Sequence, residues 1–254
     1  YNIYIVIFAM TKTFKRINME IIGNINSEES MGLVDGPGIR YVVFMQGCQL
    51  RCKYCHNPET WDINKKCTQI SADKLIKKIS RFKSYFGNNG GVTFSGGEPL
   101  LQPDFLKECL KLCKEKSINT ALDTAGVGFG DYDEILSLID LVILDIKAVD
   151  PDDYKALTGK PITFFKKFLS DCQRLNKKLW LRQVIVPGLN DNEKNILALK
   201  DFIAKIKNVE KVELLPYKTI GVHKYKDLGI KYRLDGVPDM DENKCKELEK
   251  LLLK

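Results

Sequence analysis

GCQLRCKYCHNP, residues 47–58, is the stretch that decides the fold, and it comes one residue after the apolar run Tyr41–Met45. It places three cysteines on one short loop with the spacing C-x3-C-x2-C. Iron–sulfur clusters are usually held by four cysteine thiolates. Three thiolates on one loop would therefore leave one iron open to a small molecule. A strand that ends in such a loop is typical of α/β proteins, whose sites lie past the carboxyl ends of the strands.

Two other interpretations of the cysteine loop stay open from the residues alone. A structural zinc ion would need a fourth protein ligand, and His56 directly follows Cys55, so these two side chains are poorly placed to converge on one tetrahedral metal. Three buried thiols without a metal are the other alternative. The scattered cysteines are predicted to be packing residues: Cys67, Cys109, Cys113, Cys172 and Cys245. Because no disulfide framework is apparent, a reducing compartment and a cytoplasmic location are predicted.

Strand-like and helix-like segments alternate along the chain. Apolar, β-branched runs predict strands at Tyr41–Met45, Val92–Ser95, Thr120–Asp123, Leu141–Asp145, Leu179–Val186 and Lys211–Leu215. Helical periodicity predicts helices at Ala72–Phe82, Asp104–Glu115, Tyr132–Ile139, Phe164–Asn176, Glu193–Ile206 and from Glu242 to the C-terminus. This alternation predicts a parallel sheet in one α/β domain. Six units favour a partial (β/α)6 TIM-like barrel, with a doubly wound sheet as the alternative.

Most of the unusual residues follow the carboxyl ends of the predicted strands. In chain order these groups are Cys48, Gly96-Gly97-Glu98, Asp123-Thr124, Asp145-Ile146-Lys147, Arg182 within the fifth strand, and His223 after the sixth. The carboxyl ends of parallel strands meet at one edge of a sheet, where ligands bind. The sequence therefore predicts a single site at this edge.

The cysteine loop, with an aromatic residue before its last cysteine, resembles the cluster loop of radical S-adenosylmethionine (SAM) enzymes. The resemblance implies a 4Fe-4S cluster with Cys48, Cys52 and Cys55 as ligands, and SAM bound at the open iron. It places Tyr54 and His56, together with Cys55, beside SAM. Residues 95–99, SGGEP, would otherwise be an ordinary turn, but they look like the GGE element of this family. That likeness implies that Gly97 holds the methionyl amino group.

Further segments are similar to those of one family in this group, the pyruvate formate-lyase-activating enzymes, which are glycyl radical enzyme activases. VDGPGIR, residues 34–40, resembles a segment near the substrate peptide, which implies a substrate-loop role for Asp35. The pair Asp123-Thr124 matches one that helps to bind a monovalent cation, although Ala125-Gly126 follows where the family usually has Asn-Gly. The resemblance also implies cofactor-side roles for Asp145, Ile146, Lys147, Arg182 and His223.

The resemblance implies an oxidoreductase that cleaves SAM reductively and abstracts a hydrogen from a glycine α-carbon of pyruvate formate-lyase, leaving a glycyl radical. It implies no catalytic residue beyond the cluster and SAM. A flavodoxin- or ferredoxin-like protein would supply the electron. The Cys-rich insert of other activases is missing, since only Cys67 lies between the cysteine loop and the GGE element. An activase of another glycyl radical enzyme and a non-catalytic electron-transfer protein remain the alternatives.

Charge and composition limit the partners of this chain of 254 residues. The net charge of +7 is spread as lysine pairs such as Lys77-Lys78, without a concentrated basic arm, so nucleic-acid binding is not predicted. The apolar run at residues 3–9 is too short to span a bilayer; a buried strand or translated upstream sequence could explain it. We expect residues 1–18 to be an extension and residues 19–254 to form the functional domain, because Met19 opens a cleaner start. The expected state is a monomer without membrane contact.

Overall fold

The computed structural model describes residues 20–65 and 67–254, and the predictions for residues 1–18 lie outside this range. Eight strands form one sheet in the order β3-β1-β2-β4-β5-β6-β7-β8. Their bounds are β1 Ile22–Gly32, β2 Arg40–Met45, β3 Thr68–Ser71, β4 Gly91–Gly96, β5 Thr120–Thr124, β6 Leu141–Asp145, β7 Leu179–Ile185 and β8 Val209–Pro216. β2 and β4 to β8 pair in parallel, whereas β1 is antiparallel to both β2 and β3.

The six parallel strands lie side by side in the order in which they occur along the chain. A doubly wound sheet reverses its strand order at a switch point, so this order excludes that alternative. The predicted partial (β/α)6 barrel is confirmed, as an open sheet in one domain. The two antiparallel strands extend it beyond β2.

Helices connect the strands and begin where the sequence provides caps. Their bounds are α1 Ala72–Ser80, α2 Pro103–Glu115, α3 Asp133–Leu138, α4 Pro151–Thr158, α5 Thr163–Arg174, α6 Glu193–Ile203, α7 Val222–Asp227 and α8 Glu242–Leu253. The side chains of Asp150, Asn192 and Asp241 accept hydrogen bonds from first-turn N–H groups of α4, α6 and α8. Such caps satisfy donors that a helix end leaves unpaired. No helix in the described ranges is long and apolar enough to cross a membrane.

The predicted strands and helices all occur, with ends that differ by up to three residues. Sequence analysis did not anticipate β1, β3, α4 and α7. The last of these carries His223, which follows the sixth parallel strand as the sequence predicts. The side chain of His223 is exposed there.

The two connections of β2 lie at opposite ends of the barrel. The chain enters β2 from residues 33–39, called here the floor loop, at the amino-terminal ends of the parallel strands. It leaves β2 into the cysteine loop at their carboxyl ends. The Thr93 hydroxyl donates a hydrogen bond to the carbonyl of Asp35 in the floor loop (2.7 Å), and the buried Arg40 guanidinium donates to the same hydroxyl (3.0 Å). Interior side chains thus hold the floor loop against the barrel.

Candidate active site at the carboxyl edge of the sheet

Backbone hydrogen bonds to distant segments anchor the cysteine loop. The N–H of Cys48 donates to the carbonyl of Trp61 (3.2 Å), and the N–H of Lys53 donates to a carbonyl of α4 (3.0 Å). The hydroxyl of Tyr225, on α7, donates to the carbonyl of Cys55 (2.9 Å). The loop therefore has a fixed course although it contains no regular secondary structure.

The three thiols of the loop are free, and burial affects each of them. Cys52 is 8% exposed, and Cys48 and Cys55 are partly buried. Burial raises the pKa of all three thiols, that of Cys52 to about 11, and neighbouring thiols of the loop add to the effect at Cys48 and Cys52. A buried thiolate is therefore unfavourable here without a cation. Iron would remove this cost, because coordination deprotonates a thiol outright.

Gly96 and Gly97 bring the connection after β4 against the cysteine loop. The N–H of Gly97 donates to the carbonyl of Met45 (2.9 Å), and the N–H of Glu98 donates to the carbonyl of Gly47 (2.8 Å). A Cβ on Gly97 would lie 2.2 Å from the carbonyl oxygen of Gly47, and Gly96 has a φ of +108°. Only glycine permits this approach. The predicted cofactor residue Gly97 thus lies directly beside the cysteine loop.

The Glu98 carboxylate joins this connection to the one after β5. Glu98 is 1% exposed and accepts hydrogen bonds from the hydroxyl of Thr124 (2.6 Å) and the N–H of Ala125 (3.0 Å). Burial raises the pKa of Glu98 to about 7, although the hydrogen bonds oppose that shift. Glu98 therefore holds two loops of the site together.

Asp145, Lys147 and Tyr54 form a largely buried polar cluster beside the cysteine loop. The Lys147 amine forms an ion pair with Asp145 and lies 5.3 Å from the centroid of the Tyr54 ring. Burial favours the neutral amine, but Asp145, Tyr54 and Cys52 together outweigh it and raise the pKa of Lys147. Asp145 Oδ1 and the Tyr54 hydroxyl are buried without a hydrogen-bond partner within the described residues. Buried polar groups are nearly always paired, so these two atoms fit a site that receives a polar ligand.

Arg182 links the barrel interior to the floor loop. Its Nε donates to Glu213 (3.0 Å), and its Nη2 donates to the carbonyl of Val34. Asp35 lies beside that carbonyl, and burial together with Asp123 raises the pKa of its carboxyl to about 6, while Arg182 opposes the shift. The predicted substrate-loop residue thus shares the interior with predicted cofactor residues.

The predicted cation pair makes two different sets of contacts. Asp123 accepts a hydrogen bond from the hydroxyl of Ser95 (2.7 Å), and burial raises the pKa of Asp123. The Thr124 hydroxyl instead donates to Glu98 and accepts from the N–H of Gly126 (2.8 Å). The Thr124 hydroxyl is therefore engaged away from Asp123, and the cation role of the pair stays a prediction.

The remaining predicted residues are His56, Ile146 and His223, and each has different surroundings. His56 Nε2 lies 2.8 Å from the carbonyl oxygen of Lys218. Ile146 is buried, and its N–H donates to the carbonyl of Arg182 (2.7 Å). His223 makes no hydrogen bond to another predicted site residue in the described part of the chain, so the structure does not bring it into the cluster. Its cofactor role stays a prediction.

The donor set suits a cluster better than a single metal ion. Over residues 20–65 and 67–254, no group of three or more His, Cys, Asp or Glu side chains is arranged to hold one ion. Each thiolate of an iron–sulfur cluster binds a different iron, so its ligands need not converge on one point. A tetrahedral zinc site needs four donors about 2.0–2.3 Å from one ion. The cysteine loop, with unpaired polar atoms beneath it, fits a cluster and a polar cofactor.

Comparison with known proteins decides the family. The sequence model of the radical SAM superfamily matches residues 42–200. The pyruvate formate-lyase-activating enzyme of Clostridium pasteurianum is 56% identical over 91% of this chain and 98% of its own length, and that of Streptococcus mutans is 44% identical over 92% of both. This chain belongs to the radical SAM superfamily, in the family of the pyruvate formate-lyase-activating enzymes.

A solved radical SAM structure supports the fold of this family member. The crystal structure of Streptococcus suis SuiB bound to precursor peptide SuiA matches with a TM-score of 0.63 and 21% identity, over 84% of this chain and 44% of that one. At this identity the likeness shows the fold alone. Radical SAM enzymes use a 4Fe-4S cluster and SAM, and these are the cofactors of this chain.

Sequence analysis missed several residues that position this site. Arg40 and Thr93 brace the floor loop, Ser95 orients Asp123, and Tyr225 anchors the cysteine loop. Arg40 ends the quoted VDGPGIR segment, and a charged residue at the start of a strand buried on both faces was the available signal. Tyr225 carried no such signal, because only the tertiary fold brings α7 to the cysteine loop.

Proposed function

We propose that this chain activates pyruvate formate-lyase by generating a glycyl radical on it. When bound, the cluster and SAM would supply the chemistry, which is the reductive cleavage of SAM and the abstraction of a hydrogen from a glycine α-carbon of the partner. The observation that carries the proposal is the buried three-cysteine loop packed directly on the Gly97 connection, in a member of the activating-enzyme family.

The residues of the chain bind and orient in this proposal. Cys48, Cys52 and Cys55 hold the cluster and leave one iron for SAM. The peptide backbone of Gly97 receives the methionyl amino group, and a side chain at that position would collide with the carbonyl oxygen of Gly47 in the cysteine loop. Asp145 would accept a hydrogen bond from SAM through its Oδ1, which is buried without a hydrogen-bond partner in the described ranges.

The charged residues of the interior fix the positions of these groups. Lys147 stays protonated and so offers a positive charge beside the cluster, while it holds Asp145 in place. Arg182 fixes the floor loop through the carbonyl of Val34, which sets the position of Asp35 against the substrate peptide. The barrel and its loops shield the site from solvent. This shielding limits side reactions of a carbon-centred radical.

The finer assignments of partner and location belong to the same proposal. Pyruvate formate-lyase is the substrate named for the relatives, and a flavodoxin- or ferredoxin-like protein supplies the electron. The chain acts as a monomer in the cytoplasm, without binding nucleic acid. Its five further cysteines need no disulfide in that compartment, and all eight cysteines are free.

The test is SAM cleavage by the anaerobically reconstituted and reduced protein. Production of 5′-deoxyadenosine that rises with a peptide spanning the pyruvate formate-lyase glycine loop supports the proposal. Cys52→Ala is expected to abolish both the cluster absorbance and the product, whereas Cys113→Ala, a buried cysteine on α2, keeps both. Cleavage that the peptide does not stimulate would reject the partner. An intact cluster that does not cleave SAM would favour an electron-transfer protein.

A further inference from the structure

The hydroxyl of Tyr154, on α4, is a buried hydrogen-bond donor without an acceptor. Tyr154 is 0% exposed, and its hydroxyl has no hydrogen-bond partner within the described residues. Burial raises the pKa of this hydroxyl above its ordinary value, so it keeps its proton at neutral pH and remains a donor. Buried polar groups are nearly always paired, because an unpaired one destabilises the fold. The Tyr154 hydroxyl therefore fits a place where a bound group supplies the acceptor.

Two backbone hydrogen bonds fix the end of α4 against the middle of the cysteine loop. The N–H groups on either side of Cys52 donate to the carbonyls of Leu157 (3.0 Å) and Thr158 (2.8 Å), the last two residues of α4. Tyr154 lies one turn earlier, and its carbonyl accepts a hydrogen bond from the hydroxyl of Thr158 (2.7 Å). Both Tyr154 and Thr158 are fully buried, so they share the face of α4 that packs under Cys52.

The charges that act on the Tyr154 hydroxyl belong to the candidate active site. After burial, the largest influences on its pKa are Lys147, which lowers it, and then Cys52, Glu98 and Asp145, which raise it. Two of these residues, Lys147 and Asp145, form the ion pair beside the cysteine loop. The hydroxyl therefore lies within the site, although α4 was not among the elements that the sequence predicted.

The position of α4 favours a cluster ligand over SAM as the acceptor. Gly97, which receives SAM in the proposed function, packs against Gly47 at the start of the cysteine loop. Tyr154 instead approaches the loop from beneath Cys52, on the helix to which the neighbours of Cys52 are bonded.

We propose that the Tyr154 hydroxyl donates a hydrogen bond to the thiolate of Cys52 and thereby raises the reduction potential of the cluster. This inference deepens the proposed function and rests on it. Hydrogen bonds to the sulfur atoms of an iron–sulfur cluster help to set its potential. Such a bond favours the reduced form, because that form carries one more negative charge. Tyr154 keeps its proton throughout, and the single electron comes from the reductant.

Tyr154→Phe removes only the hydroxyl, and Tyr41→Phe is the matched control. Tyr41 is also buried, but its hydroxyl donates to Glu28 (2.6 Å), and it lies at the start of β2, at the amino-terminal end of the barrel. The reconstituted protein is titrated with dithionite and redox mediators, and electron paramagnetic resonance follows the reduced cluster. At a fixed potential we expect Tyr154→Phe to lower the ratio of reduced to oxidised cluster about tenfold, a shift of about 59 mV, and Tyr41→Phe to change it by less than about twofold.

Thermal unfolding of the cluster-free protein gives a second, independent measurement. The unpaired hydroxyl destabilises this form of the protein, so Tyr154→Phe should raise the midpoint of unfolding by about 2 °C. Tyr41→Phe breaks an existing hydrogen bond and should lower the midpoint.

Three results would overturn the inference. The first is an equal potential in Tyr154→Phe and the parent protein. The second is a shift that appears only when the titration is repeated with SAM, which would make SAM the acceptor. The third is a lower unfolding midpoint or a loss of cluster iron in Tyr154→Phe, which would make the hydroxyl a structural group. None of these measurements depends on SAM cleavage, so a protein that holds its cluster but cleaves no SAM would fail the proposed function while the potentials still report on Tyr154.

Discussion

At the scale of single residues, the carboxylate of Asp35 lies in the floor loop, where burial, together with Asp123 and Glu29, raises its pKa to about 6. A carboxyl whose pKa is higher in the folded state than in the unfolded chain binds more protons when folded. The free energy of unfolding therefore falls as pH rises from about 4 to 6. The ionised form of Asp35 therefore destabilises the folded state at neutral pH.

Asp35→Asn removes this charge and tests that cost. We expect the variant to be more stable than the parent protein above pH 6, by about 1 kcal/mol after allowance for solvent screening, and equally stable near pH 3.5. Thermal unfolding of the cluster-free protein across this pH range measures the difference. Peptide-stimulated SAM cleavage should fall in the same variant. Unchanged stability at pH 7 would contradict the interior position of the carboxylate.

Gly97 lies where the connection after β4 packs against the cysteine loop. Gly97→Ala would push a methyl group to 2.2 Å from the carbonyl oxygen of Gly47, so the loops must separate. We expect a loss of roughly 1–3 kcal/mol in unfolding free energy and weaker SAM binding to the reconstituted protein. The control is Gly87→Ala, which has a positive φ but no atom within 4 Å of the added carbon. Equal SAM affinity in both variants would remove Gly97 from the binding site.

At the scale of elements, the floor loop depends on one buried side chain. Arg40 is fully buried and donates to the Thr93 hydroxyl (3.0 Å), Asn119 Oδ1 (2.8 Å) and the carbonyl of Val92 (2.5 Å). Lysine cannot reproduce this planar fork of donors. We expect Arg40→Lys to lower the unfolding free energy by about 3 kcal/mol in urea denaturation, and Arg81→Lys, at an exposed arginine, to change it by less than about 0.5 kcal/mol.

The same loop presents apolar side chains to solvent. Leu33 and Val34 are 73% and 75% exposed, next to the loop residue proposed to meet the substrate. We expect Leu33→Ser to reduce the activation of intact pyruvate formate-lyase several-fold by raising KM, with little change in stability or in SAM cleavage without partner. Leu253→Ser, which alters a similarly exposed leucine on α8, should have no such effect. Equal KM values for both variants would exclude Leu33 from the interface.

The strands and helices that the sequence predicts have a clear apolar run or a helical period. The strands and helices that it does not predict are polar or short. β2 and β4 to β7 are almost fully buried, so their apolar runs are unmistakable, whereas β8 is only partly buried. β1 carries Ser27, Glu28 and Glu29 on a half-exposed strand, and α4 is only eight residues long. Their identity depends on pairing with β2 and on packing under the cysteine loop, which no local pattern encodes.

For the site, the cysteine spacing and the family resemblance predict from the sequence alone that the cysteine loop, the Gly97 connection and the Asp145–Lys147 pair belong together. They could not show that Glu98 ties two loops together or that Arg182 reaches the floor loop, since these contacts join residues far apart in the chain. The cofactor role of His223 rests on a motif position alone and stays a prediction; its side chain is exposed on α7.

At the scale of the whole molecule, the fold divides access between the two ends of the barrel. The carboxyl ends of the parallel strands carry the cysteine loop, and the amino-terminal end carries the floor loop. In the proposed function the substrate glycine meets the floor loop, and Gly97, Asp145 and Lys147 would hold SAM beside the cysteine loop.

The measurement that tests the central claim most directly is hydrogen transfer from the substrate glycine. The reconstituted protein is reduced with dithionite and given SAM and a glycine-loop peptide deuterated at the glycine α-carbon, and mass spectrometry then follows the 5′-deoxyadenosine. We expect deuterium in the 5′-deoxyadenosine and a glycyl radical signal in electron paramagnetic resonance. Undeuterated 5′-deoxyadenosine, formed equally with or without the peptide and with no glycyl signal, would contradict the account.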